Sequence, residues 1–164
     1  MKFLQRALLA TFLMLCSGAC SPQSTANNSA GGSLNDAFTQ DSLTIINDDG
    51  VRHEFDIYLA LNPEQQRRGL MFVRQMPLKT GMLFVYESSE LHSMWMKNTY
   101  ISLDIVFARA DGTVSSVVRN TEPLSLRSLV SAEPVKYVLE LNAGATRRFN
   151  IGAGSRLVWA PDES

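Results

Sequence analysis

The residues beyond position 42 predict a mainly β domain, a compact β-sandwich or a partly closed barrel, with one or two short helices. Three observations support this. Residues 43–47 and 52–60 flank Asp48-Asp49-Gly50, a polar, glycine-bearing junction suited to a hairpin. Within 52–60, His53, Phe55, Ile57 and Leu59 share one face, while Glu54, Asp56 and Tyr58 share the other. That period of two fits a sheet with one wet face. Short apolar runs then recur at 82–86, 92–97, 101–109, 113–119, 135–141 and 156–159, with Asp111-Gly112 turning the chain between two of them. Eight short strands of this kind suit a sandwich or barrel.

One helix is well marked. Asn62 is placed to cap the first free amides, Pro63 suits the first turn, and Gln65 holds the capping-box position. Glu64 complements the positive end, Arg67 and Arg68 the negative end, and Gly69 ends the helix. A second short helix is expected over 143–149, after Asn142. Residues 121–133 show no clean period and read as a loop.

The chain has 164 residues, room for one domain, with 45% hydrophobic and 19% charged residues. A net charge of −1 and the lack of any strongly basic stretch argue against a nucleic-acid partner. Lys2 and Arg6 precede an apolar run over 7–15, shorter than the about 20 residues a spanning helix needs. A charged start, a short apolar core and small residues after it describe a secretory signal. Ser17-Gly18-Ala19-Cys20 resembles a bacterial lipoprotein processing site, which predicts acylation of Cys20. Ser21 after it resembles the pattern for outer-membrane sorting. The expected organisation is a signal segment (1–19), a lipid-attached flexible tether (20–42), a folded domain (43–160) and a short tail (161–164). The expected location is the periplasm, with the membrane contacted through the lipid alone. The tether has almost nothing to bury. The remaining cysteine, Cys16, lies in the signal, so the folded part has neither a disulfide nor a cysteine nucleophile.

Four motifs follow in order: Pro63 to Met71 (PEQQRRGLM), Gly81 to Val85 (GMLFV), Trp95 to Thr99 (WMKNT) with Leu103 to Phe107 (LDIVF), and Val138 to Gly144 (VLELNAG). Together they resemble the DUF192 family, over about 43–160. The resemblance implies a compact, β-rich, jelly-roll-like domain with a short helix, and no particular activity. Ser102 stands where a proline is common in the family, and Ser155 where an aspartate is common.

Candidate site residues come from the polar members of these motifs. If 92–97 is a strand, Trp95 and Lys97 share a face, and Lys97 places a cation beside the indole. Asn98 and Thr99 begin a turn. On the following strand Asp104 points away from Leu103, Ile105 and Phe107, so Lys97 and Asp104 are expected to meet across a hairpin. The plainer reading is an ion pair that locks the register. The functional reading is a ligand pocket lined by Trp95, Lys97, Asn98 and Asp104. Arg68 is placed to cap the helix end or to clamp a carboxylate, either Glu140 or one on a ligand. Glu140 lies between Leu139 and Leu141 and, partly buried there, wants a partner.

These residues predict a domain that binds a small polar or anionic ligand, a saccharide or a carboxylate, without transforming it. Three alternatives stand beside this. Asp104 and Glu140 could form the carboxylate pair of an enzyme acting on a glycan-like substrate. His92, Met94 and Met96 could hold Cu(I) as the single cofactor candidate, since soft sulfur and imidazole suit that ion. The polar residues could instead form a closed network in a structural or interaction protein, whose protein partner the sequence does not name.

Overall fold

The computed structural model describes residues 33–160. The expected signal segment, Cys20, the first part of the expected tether and the tail lie outside the described residues. The elements run α1 (Leu34–Ala37), β1 (Thr39–Ile46), β2 (Arg52–Ala60), α2 (Pro63–Arg68), β3 (Thr80–Glu90), β4 (Ser93–Met94), β5 (Leu103–Ala108), β6 (Val114–Val118), β7 (Leu129–Val130), β8 (Val135–Asn142), α3 (Ala145–Arg148) and β9 (Arg156–Val158). Seven strands form one sheet in the order β6-β5-β8-β3-β2-β1-β9, and β4 and β7 form a separate two-stranded ribbon. Within the large sheet only β2 and β3 are parallel.

The large sheet curls into a nearly closed barrel, matching the expected fold class. Its two edge strands meet at one end, where Thr113 bridges Arg156. The Val114 amide donates to Ser155 O at 2.7 Å and the Leu157 amide to Gly112 O at 2.8 Å. Gly112 has φ +81°, and a Cβ there would collide with the Leu157 carbonyl, so this seam requires glycine.

Side-chain alternation divides the core in two. Leu43, Ile45, Phe55, Ile57, Leu83 and Leu139 are among those filling the barrel interior. Met82, Phe84, Leu103, Ile105, Phe107 and Val138 form a second cluster on the outside of the same sheet. Strand β5 is buried at every position, as expected of a strand covered on both faces. Strand β2 keeps a wetter outer face, as its alternation predicts.

Helix α2 follows its signals. Asn62 accepts from the Glu64 and Gln65 amides at 3.1 and 2.9 Å, and Gln65 Oε1 accepts from the Leu61 amide at 2.9 Å.

Several elements differ from expectation. Strand β1 begins at Thr39, inside the stretch expected to be tether. Phe38 is buried, Thr39 pairs with Leu59, and the Trp159 indole donates to Asp41 Oδ2 at 2.7 Å, which together hold this segment on the barrel. Helix α3 spans only Ala145–Arg148 and is preceded by Gly144 with φ 84°. Asn142 does not cap it; its amide group donates to the Met76 and Pro77 carbonyls. The stretch 92–97 gives only the short β4, which pairs with β7 inside the segment expected to be a loop.

The position of Asp104 follows from the register. It pairs with Leu141, so its side chain points into the barrel end, away from the outer cluster. There it is fully buried and accepts from the Asn120 amide (2.9 Å), the Thr146 amide (3.0 Å) and the Thr146 hydroxyl (2.7 Å). Gly144 offers no capping side chain, so Asp104 serves as the acceptor for the first turn of α3. Arg119 extends the network, donating from Nε to Thr146 Oγ1 at 3.1 Å and to Ile151 O at 3.0 Å. Replacing Asp104 by Ala strands these buried donors. Asp104→Ala should cost about 3 kcal/mol and Asp104→Asn less, read as the shift in urea midpoint at constant m-value.

Candidate functional site

The outer cluster needs a cover, and irregular chain supplies it. Residues 70–76, the β4–β7 ribbon and the turn at 96–99 lie over β3, β5 and β8. Helix α2 is fixed beside them: Gln66 Nε2 donates to Val85 O at 3.0 Å and Gln65 Nε2 to Ala37 O at 3.1 Å. Between α2, the cover and the sheet lies a cavity of about 310 Å³, near the lower end of the range for small-molecule sites. Glu140 and Tyr86 lie at its sheet side, and Arg67, Arg68, Trp95 and Lys97 also line it.

Glu140 is the unusual group. It pairs with Met82 on β3 and with Ile105 on β5, so apolar side chains flank it on both sides. The residue is 4% exposed. Among the described residues, none donates a hydrogen bond to its carboxyl and none pairs with it as a cation. Burial pushes its pKa up to about 8, so the carboxyl is protonated at neutral pH. Tyr86 stands nearby on β3. Burial first, then the charge of ionised Glu140, pushes the phenol up to about 12. Its hydroxyl donates only weakly, to Met94 Sδ at 3.7 Å.

The 95–99 loop is held by unusual backbone. Asn98 has φ 57° and, unexpectedly among bulky residues, so do Phe72 (68°) and Leu124 (63°) fall in the left-handed region. The Phe72 amide donates to Asn98 O at 2.8 Å and the Leu124 amide to Thr99 O at 3.1 Å. Both strained residues therefore clamp one turn. Trp95 is 50% exposed. Lys97 Nζ lies 5.2 Å from its ring centroid, and the Arg68 guanidinium lies 5.4 Å from that of Phe38.

The structure thus brings together Arg68, Trp95, Lys97 and Glu140 on one cavity, and separates two other expected members. Asp104 faces the barrel interior. Its expected pairing with Lys97 is not formed, because β4 pairs with β7 and not with β5. Asn98 serves the turn, with its side chain 3.8 Å from Met71 Sδ. Asp104 and Glu140 point to opposite faces of the sheet, since Ile105, not Asp104, pairs with Glu140. They therefore do not flank a common substrate.

Of the copper candidates, Met96 is packed in the outer cluster, and Met94 is buried and lines the cavity. His92 stacks on Tyr86 with ring centroids 3.4 Å apart, and burial holds its pKa below the usual range, opposed by Glu90. Among the described residues, no group of three His, Cys, Asp or Glu is placed to hold a metal. Tyr86 was not evident from the motifs. Its parity with Met82 and Phe84 is the signal that places it on the cavity side.

The described residues form a near-closed barrel with a cavity on its outer face, floored by a buried acid and edged by cations, and this cavity is the candidate site. The chain belongs to the DUF192 family, described as uncharacterized, whose model matches residues 44–159. It is similar to a crystal structure of a Sinorhizobium meliloti 1021 protein named a candidate transcription regulator, with TM-score 0.73 and 40% identity, covering 74% of this chain and 94% of that one. It is also similar to a protein of unknown function from Novosphingobium aromaticivorans DSM 12444, with TM-score 0.70 and 33% identity, covering 73% and 85%. No curated protein matches the chain.

The raised pKa of Glu140 makes stability depend on pH. Between about 4.5, the ordinary value, and about 8, the unfolded chain releases this proton and the folded chain keeps it. Stability from this group is therefore full below pH 4.5 and is lost as pH rises through 8, at up to ~1.4 kcal/mol per pH unit. Urea unfolding of Glu140→Gln should lack this contribution, so the variant should gain on the native protein as pH rises from 5 to 8. An unchanged difference between the two across that range would contradict the assignment.

Proposed function

We propose that this domain binds a small polar or anionic ligand in the outer-face cavity and does not transform it. The observation that carries the reading is Glu140, a buried carboxyl that lines the cavity between Met82 and Ile105 and to which no other described residue donates a hydrogen bond. Burying such a group unpaired is costly, and a ligand that meets its hydrogen-bonding needs would offset that cost. Trp95 offers a partly exposed flat surface beside it, and Lys97 and Arg67 bias the entrance toward negative charge. The separation of Asp104 from Glu140 removes the carboxylate pair on which the enzymatic alternative rested. Export and attachment to the outer membrane through Cys20 belong to the same proposal, on the strength of the first 20 residues, as does the absence of a nucleic-acid partner, on charge.

A thermal-shift screen of the full chain against polar metabolites, glycan fragments and Cu(I) tests the binding function. At least one anionic or polar compound should raise Tm by several degrees, and Trp95→Ala should remove the shift while leaving the unliganded Tm within about 2 °C. A flat response to every compound would count against a ligand site, and a response to copper alone would replace it with the metal reading. Mass spectrometry of the mature N-terminus should find Cys20 acylated; a chain still beginning at Met1 would contradict export.

A further inference from the structure

The cover of the outer cluster carries apolar side chains on its far side as well. Six of the ten exposed large hydrophobic residues among the described residues lie there: Phe72, Trp95, Tyr100, Leu124, Leu126 and Val130, each between 39% and 70% exposed. They come from three stretches of chain that the backbone ties together. The Phe72 amide donates to Asn98 O, the Leu124 amide to Thr99 O and the Met96 amide to Ser125 O. The Phe72 and Tyr100 rings meet edge to face, with centroids 6.2 Å apart. In the β4–β7 ribbon, Met94 and its partner Leu129 turn into the outer cluster, so Trp95, the next residue, and Val130, opposite Ser93, turn away from it. A contiguous exposed patch of this kind marks an interaction surface. Phe72 and Leu124 also carry left-handed backbone, which glycine or asparagine adopts at less cost. Side chains so exposed gain little from packing within the domain, so their bulk serves a contact outside it.

We propose that this face rests on the interface of an anionic phospholipid bilayer, with the aromatic and leucine side chains among the headgroups and Arg74, Lys97 and Arg127 against the phosphates. The sequence alone predicts membrane contact through the lipid only; the patch adds a contact made by the protein. Three observations choose this occupant. The first is charge. Across 70–76, 93–100 and 121–130 the three cations are all exposed, none is ion-paired among the described residues, and Glu122 is the single acid in these stretches. Trp, Tyr and Leu mixed with Lys and Arg is the composition that sits at headgroup level. The Arg74 guanidinium lies 4.8 Å from the Tyr100 ring centroid, so cationic and apolar groups are interleaved. A second copy docked about a two-fold axis would bring the same cations face to face. The second observation is the path of the chain. Helix α1 and Phe38 pack on the same outer cluster as the cover, so the chain from Cys20 joins the domain on the face of the sheet that carries the patch. The third is length. Residues 21–32 span at most about 40 Å, so a domain anchored at Cys20 stays beside the bilayer, where weak contacts act at high effective concentration. The last two rest on the anchoring proposed above.

The test is co-sedimentation of residues 33–164, which lack Cys20, with vesicles of phosphatidylcholine alone or mixed with phosphatidylglycerol. A solved relative, 94% of whose chain matches this one, folds with little beyond the same domain. Binding should be roughly thirtyfold tighter to the anionic vesicles, from three cations less one acid, and should weaken as salt rises. Leu124→Asn combined with Leu126→Ser should weaken it by about tenfold or more. Asparagine suits the left-handed backbone at 124, so this variant should keep or exceed the native Tm, and its lost binding is then not a loss of fold. Val51→Ser, an exposed apolar residue in the β1–β2 connection, should bind as the unsubstituted segment does. Undiminished binding by the Leu124→Asn, Leu126→Ser variant would overturn the proposal, as would binding that ignores lipid charge or a failure to bind either vesicle. A dimer that forms with concentration and is lost in the same variant, without vesicle binding, would overturn it in favour of a second copy. Because the segment lacks Cys20, these results leave export untouched; a mature chain still beginning at Met1 would overturn export and, with it, the occupant chosen here.

Discussion

The strands at the middle of the sheet are buried on both faces, and most other features follow from that constraint. The inner faces of β3, β5 and β8 meet in the barrel core, while Met82, Phe84, Ile105 and Phe107 need a second cover outside. Burying that outer layer is favourable by about 25 cal/mol per Å² of apolar surface. The cover is built from loops and a two-residue ribbon, which fit a curved sheet less evenly than a long helix would. The cavity lies where this cover and α2 fail to close over the sheet.

Within that layered arrangement two carboxyl groups have opposite fates. Asp104 and Glu140 lie one rung apart on neighbouring strands and point to opposite faces. Asp104 meets two backbone amides and a hydroxyl and closes one end of the barrel against α3. Glu140 meets Met82 and Ile105 and remains without a hydrogen-bond donor among the described residues. A satisfied buried acid rigidifies a fold, whereas an unsatisfied one beside open space weakens it and leaves hydrogen-bonding capacity for a ligand. The backbone strain is consistent with the same division. Phe72 and Leu124 adopt a conformation that costs about 1 kcal/mol or more each, and both hold the loop that carries Trp95 and Lys97. Two bulky residues held in this conformation at one turn beside the cavity point to a loop whose shape matters.

Local patterns made most of the barrel legible from the sequence. The alternation across 52–60, the Asp48-Asp49-Gly50 hairpin and the Asn62-to-Gly69 helix signals all act between near neighbours, and the structure contains all three. The parity of Asp104 against Leu103, Ile105 and Phe107 was equally readable. What could not be read was which strand lies beside which. The placement of β8 between β3 and β5 joins residues far apart in the chain, and it decides that Ile105 and not Asp104 stands opposite Glu140. The Lys97–Asp104 pairing failed for the same reason, since β4 finds its partner in the low-periodicity stretch around Leu129. The sequence pattern starts strand β1 only at Leu43 because residues 39–42 are all polar, and their place is set by Phe38 and Trp159, one before them and one at the far end of the domain.

The central claim is that Glu140 is a protonated acid at the floor of an open cavity. Carbon-13 NMR of the labelled glutamate carboxyls, with the Glu140 resonance assigned by its loss in Glu140→Gln, measures this directly. The account predicts that this resonance titrates near pH 8, well apart from the exposed glutamates. Titration near 4.5, the ordinary value for a glutamate, would show an ionised and therefore partnered or solvated carboxylate, and would contradict it.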